Sequence, residues 1–117
     1  HAEGMPAAEM KHGPIALVDE KTPSIFTVTG SFDIDTIISN MREVKSRKGE
    51  VFAVVSPVNY DRVNKVADWT FRTHETREVA MEPLAANVVL QLLAYHVAVE
   101  KGLNPDRPRN LAKSVTV

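Results

Sequence analysis

The chain has 117 residues, with 14 Lys and Arg against 15 Asp and Glu for a formal net charge of −1. At 44% hydrophobic and 25% charged it has the profile of a globular chain, long enough to bury a core without covalent staples. The charge balance argues against a nucleic-acid footprint or a polybasic membrane anchor, and the absence of cysteine excludes disulfides, thiolate metal sites and a cysteine nucleophile.

The opening His1-Ala2-Glu3-Gly4-Met5 carries neither an initiator Met nor a capping signal and reads as the middle of an element, so a fragment of a longer protein is expected. Glu3, Pro6 and Glu9 leave no apolar block near the start, so no signal peptide and a cytoplasmic location are expected. Residues 24–29, rich in β-branched and aromatic types after Pro23, predict a strand. Gly30 and Ser31 end it, with Ser31 as the expected N-cap of a helix whose apolar face is Ile34, Ile37, Ile38, Met41 and Val44. Lys45, Arg47 and Lys48 followed by Gly49 have the chemistry of a helix C-terminus.

Val51–Val55 is a continuous apolar run, as in a strand buried on both faces, and completes a βαβ unit. A short helix over Asn59–Ala67 and a third strand over Trp69–Thr73 follow, the latter with Trp69 and Phe71 on one face and less buried than its predecessor. The last helix begins near Pro83, carries the stripe Leu84, Val88, Leu92, Tyr95 and Val99, and closes at Gly102. Its richest stretch, Val88–Val99, is interrupted by Gln91 and His96 and reads as too short to span a bilayer. Residues 104–117, with Pro105 and Pro108 and no periodicity, read as an extended tail. The sum is an α/β fold with a parallel sheet, three strands and three helices, open at its edges and incomplete.

Glycines at 4, 13, 30, 49 and 102 allow neither a dinucleotide-binding fingerprint nor a P-loop. The histidines at 1, 12, 74 and 96 lack metal-ligand spacing, and no metal or cofactor is expected; His96 reads as a satisfied structural residue and His74 as a surface one. Two stretches remain. His12 stands before Gly13-Pro14, either in a plain polar turn or at a backbone reversal that holds an imidazole outward for proton transfer. Lys113 lies in the apolar part of the tail, either solvated or desolvated enough to act as an amine nucleophile toward a carbonyl.

These stretches carry a resemblance. Glu-x-x-x-Ala-Ala-Glu-Met-Lys-His-Gly-Pro-Ile-Ala-Leu-Val-Asp (3–19), the Leu90–His96 helix segment, the Lys-Gly-x-Asn-x-Asp-x-Pro-Arg run (101–109) and the closing Arg-Asn-Leu-Ala-Lys-Ser-Val-Thr-Val (109–117) resemble the C-terminal sugar-isomerase (SIS) domain of the glutamine–fructose-6-phosphate aminotransferases. The resemblance spans the chain with the motifs in order. It implies a three-layer αβα fold around a five-stranded parallel sheet, of which this chain holds the last three strands: residues 1–102 as the C-terminal part of the domain and 103–117 as a tail carrying the active-site lysine. It implies that a glutaminase domain and a first SIS domain precede this one, and that the whole enzyme makes glucosamine 6-phosphate from fructose 6-phosphate with glutamine-derived ammonia. Lys113 then matches the Schiff-base lysine, His12 the ring-opening histidine that reaches the neighbouring subunit's site in a homodimer, and Ala112 a backbone contact to the sugar. The family's glutamate base, phosphate-binding loop, glutaminase cysteine and final glutamate have no counterpart here, so 1–117 alone is expected to be inactive. A non-catalytic SIS module that only binds a sugar phosphate is the rival reading, and it has no need of Lys113. Neither reading involves nucleic acid or a membrane.

Overall fold

In the computed structural model, residues 1–30 and 33–109 are described, and their order follows the βαβ reading. Two short 3₁₀ helices, Ala7–His12 and Pro14–Leu17, precede strand β1 (Ser24–Val28). Helix α1 (Ile34–Ser46) leads to β2 (Val51–Val55); a 3₁₀ turn (Pro57–Asn59) opens the one-turn helix α2 (Tyr60–Val63). Strand β3 (Trp69–Arg72) and a second 3₁₀ turn (Val79–Met81) lead into α3 (Glu82–Glu100). The strands are parallel in the order β1-β2-β3, with Phe26 beside Ala53 and Ala53 beside Thr70.

Alternation along parallel strands decides which side chains meet which helix. Phe26, Val28, Ala53 and Val55 share one face, and they form one cluster with Ile34, Ile38, Met41 and Val44 of α1 and Val63 of α2. Val54 points the other way and is also fully buried, on the side where α3 approaches β2. The β2 run therefore reads as it does because both its faces are covered. Asp68 fastens the end of this unit: one carboxylate oxygen accepts the Val51 N–H at 2.9 Å and the other meets the Lys45 ammonium.

Several expectations need correction. The N-cap of α1 is Asp33, in the left-handed region at φ 52°, with no side-chain capping bond; the expected cap, Ser31, lies outside the described residues. At the other end, Lys48 and not Gly49 takes positive φ, at 63°. Gly49 is needed for closeness instead: a Cβ there would stand 2.5 Å from Val18 Cγ1 and 2.7 Å from Val44 Cγ1. The helix expected over Asn59–Ala67 is one α-helical turn, Tyr60–Val63: Asn59 belongs to the preceding 3₁₀ turn, and the chain after Val63 continues in turns.

The largest corrections concern α3. Its stripe Leu84, Val88, Leu92, Tyr95 and Val99 is about half exposed, whereas Glu82 and Ala86 are the buried positions. The helix is apolar all round, so periodicity could not say which side meets the sheet. His96, expected to be a satisfied structural residue, is exposed instead, with its ring edge-on to Tyr95 at 5.4 Å. The helical stretch around Val88–Val99 is longer than that apolar run: Val79–Glu100 has 22 residues and contains an 18-residue window of mean hydropathy 1.3, enough to cross a membrane by length and composition only. On the sheet, Trp69 and Phe71 do share a face and are both exposed on it, with Trp69 stacked on Phe52 at 6.3 Å.

Candidate active site

The segment carrying His12 is built by short-range backbone geometry. Pro6 is extended and its carbonyl accepts the Glu9 N–H at 2.9 Å, winding residues 7–12 into a 3₁₀ helix. Gly13 then takes φ 145° and ψ −56°, a conformation open to glycine, and reverses the chain. Pro14 opens the next turn, with the Ala16 N–H donating to the Gly13 carbonyl at 2.9 Å. This is the sharp reversal that His-Gly-Pro predicts.

Three anchors hold the segment to the body. Met10 is buried in the main core, Lys11 Nζ lies 2.7 Å from Glu43 Oε1 on α1, and Ala7, Ile15 and Val18 pack against the core's edge. Between these anchors His12 is exposed, and among the described residues its ring makes no hydrogen bond. The imidazole is thus presented outward from a fixed backbone. Lys113 and Ala112, the other two residues singled out from the sequence, lie outside the described residues.

A second polar cluster, which sequence reasoning missed, sits at the carboxyl edge of the sheet. The Gly30 N–H donates to Glu82 Oε2, and the Asn59 side-chain amide donates to the Gly30 carbonyl. Gly30 thereby ties the end of β1 to the first turn of α3 through its N–H and to the segment after β2 through its carbonyl. Ser56 and Thr73, which directly follow β2 and β3, are buried with hydroxyls that lack a partner among the described residues. A hollow of about 250 Å³, lined by Pro57, Val58, Glu75, Thr76, Val79 and Glu82, opens at the same edge. Glu82 before Pro83 gives no signal of this, because a carboxylate at a helix N-terminus ordinarily meets its own first turn. Here its partner is 52 positions away.

A larger hollow of about 310 Å³ lies against α1 and α2, lined by Asp35, Ile38, Arg42, Arg62, Lys65 and Val66, with Arg62 paired to Asp35. Two carboxylates are held below their usual range. Asp19 is stabilised by the Thr22 hydroxyl and then the Lys21 N–H; Asp68 is stabilised by the Lys45 ammonium and then the Val51 N–H. Among the described residues no three His, Asp or Glu side chains converge as a metal site would require.

The SIS domain family model matches residues 1–101. Over all 117 residues the chain is 51% identical to a glutamine–fructose-6-phosphate aminotransferase (isomerizing) of Bacteroides thetaiotaomicron and 50% identical to one of Chlorobaculum tepidum, spanning 19% of each. A protein of the same name from Sphingobium yanoikuyae is 46% identical over 119 aligned positions, and the chain spans 74% of it. Among solved structures, the C-terminal domain of glucosamine-fructose-6-phosphate aminotransferase from Francisella tularensis superposes with a TM-score of 0.83 at 36% identity, over 92% of this chain and 30% of that one.

Proposed function

Since the chain belongs to the SIS domain family, we propose that it is the C-terminal isomerase segment of a glutamine–fructose-6-phosphate aminotransferase, acting on fructose 6-phosphate to give glucosamine 6-phosphate. The observation that carries this reading is 51% identity over every residue of the chain, both motif ends included, to an enzyme of that name. A module that merely binds sugar phosphates would not need the tail lysine, and the comparisons favour the enzyme.

His12 acts first, on the closed ring. Its neutral imidazole accepts the proton of the C2 hydroxyl; the C2–O5 bond breaks as the C2 carbonyl forms, and the imidazolium returns a proton to O5. A histidine suits this shuttle because its ordinary pKa lies near neutrality. The neutral Lys113 amine then attacks C2, and loss of water gives a Schiff base. Ala112 contributes backbone polar groups to the sugar. Residues 1–102 form the domain body and 103–117 the arm that brings Lys113 to the substrate. The base for the proton transfer between C1 and C2, the phosphate clamp and the ammonia source come from other parts of the enzyme, so 1–117 alone does not turn over. The assembly is a cytoplasmic homodimer in which each subunit lends His12 to its partner's site.

Subunit mixing tests this. Full-length His12→Ala and Lys113→Ala enzymes, each inactive, should recover up to about a quarter of wild-type activity after random exchange, because one site in each mixed dimer then holds both intact residues. No recovery despite demonstrated exchange would place both residues in the same subunit's site.

A further inference from the structure

The way the His12 segment is fastened makes a third residue relevant to ring opening. The His12 ring is exposed and, among the described residues, makes no hydrogen bond that would orient it. Its placement is inherited from the backbone. Immediately after it, Gly13 at φ 145° supplies a reversal without side-chain constraint. Immediately before it, Lys11 reaches α1 through the 2.7 Å contact with Glu43, and Met10 is inserted in the core. Glu43 sits on the best-anchored helix of the chain, between Met41 and Val44, both fully buried.

We propose that Glu43 is a positioning residue for His12, acting through Lys11: the ion pair, with Met10 as a plug, latches the segment to α1 and fixes where the imidazole stands. This rests on the reading of His12 as the ring-opening histidine. The pair is partly exposed, with side-chain exposures of 48% and 31%, so it adds little to global stability and its loss leaves the fold intact. Its effect falls on geometry, to which proton transfer is far more sensitive than folding is.

The experiment uses full-length enzyme in wild-type, His12→Ala, Glu43→Gln, Lys11→Met and doubly substituted Lys11→Met/Glu43→Gln forms. Each is assayed with fructose 6-phosphate and with 5-deoxyfructose 6-phosphate, which lacks the hydroxyl needed to close a furanose ring and is always open. With fructose 6-phosphate, Glu43→Gln should lower kcat about ten-fold with KM little changed and no shift in thermal midpoint. Lys11→Met should do the same, and the double variant should be no worse than either single one, since both remove one interaction. With the open substrate these defects should disappear, as should that of His12→Ala. A wild-type kcat in Glu43→Gln while His12→Ala is impaired overturns the latch alone. Additive losses, or an equal defect on the open substrate, also overturn it. If His12→Ala opens and converts fructose 6-phosphate at the wild-type rate, the reading of His12 falls and the latch with it.

Discussion

Gly49 and Asp68 show how single residues close the βαβ unit. Gly49 lies where the end of α1 meets the segment descending from His12, and there is no room for a methyl group between Val18 and Val44. Gly49→Ala should destabilise the fold by about 1–3 kcal/mol, because fully buried Val44 cannot withdraw; urea denaturation reads this as a lower midpoint at unchanged slope. Asp68 gives a pH signature. Its native pKa is below the ordinary carboxylate value, mainly through Lys45, so at acid pH the unfolded chain binds the extra proton. The stabilisation is therefore full above about pH 4–5 and lost as pH falls through the native pKa. Asp68→Asn should flatten the acid limb of the stability profile while lowering the plateau at neutral pH; an unchanged acid limb would contradict this role. The signal for Gly49 was visible in the sequence as helix-ending chemistry, but Lys48 adopted the left-handed turn. Closeness to Val18, 31 positions earlier, is a tertiary fact that no local pattern encodes.

At the scale of elements, β1, α1 and β2 were legible because each has a local signature: β-branched residues, a spaced apolar face, a continuous apolar run. Helix α3 was legible in extent but not in orientation. Nearly every position is apolar, so the pattern defines a helix without selecting a buried side, and the stripe from Leu84 to Val99 lies open. The exposed β3 side chains Trp69 and Phe71 belong to the same deficit of cover. In the proposed full-length enzyme these surfaces are buried, which makes the consequence of a polar substitution depend on context. Leu92→Gln should change the stability of 1–117 by no more than about 0.5 kcal/mol, yet cost about 2–5 kcal/mol in the complete protein, as for a core truncation. Comparing thermal midpoints in the two settings checks this; equal small effects would mean that the stripe stays in solvent.

For the whole molecule, the radius of gyration is 16.1 Å, against about 13 Å for a compact domain of this length. The long helix α3, held mainly at its first turns where Glu82 and Ala86 are buried, contributes to this spread. The fold class and the His12 reversal could be read from the sequence because they rest on local rules. The carboxyl-edge cluster of Gly30, Asn59 and Glu82 could not, because its members are 29 and 52 positions apart in the chain. What unites these features is the claim that the chain supplies the amine and the imidazole of a sugar isomerase. Borohydride reduction of the full-length enzyme with fructose 6-phosphate, followed by peptide mass analysis, tests that claim most directly. A reduced sugar adduct is expected on Lys113 and none in Lys113→Ala; labelling spread equally over Lys45, Lys48 and Lys113 would mean ordinary surface reactivity and no Schiff-base role.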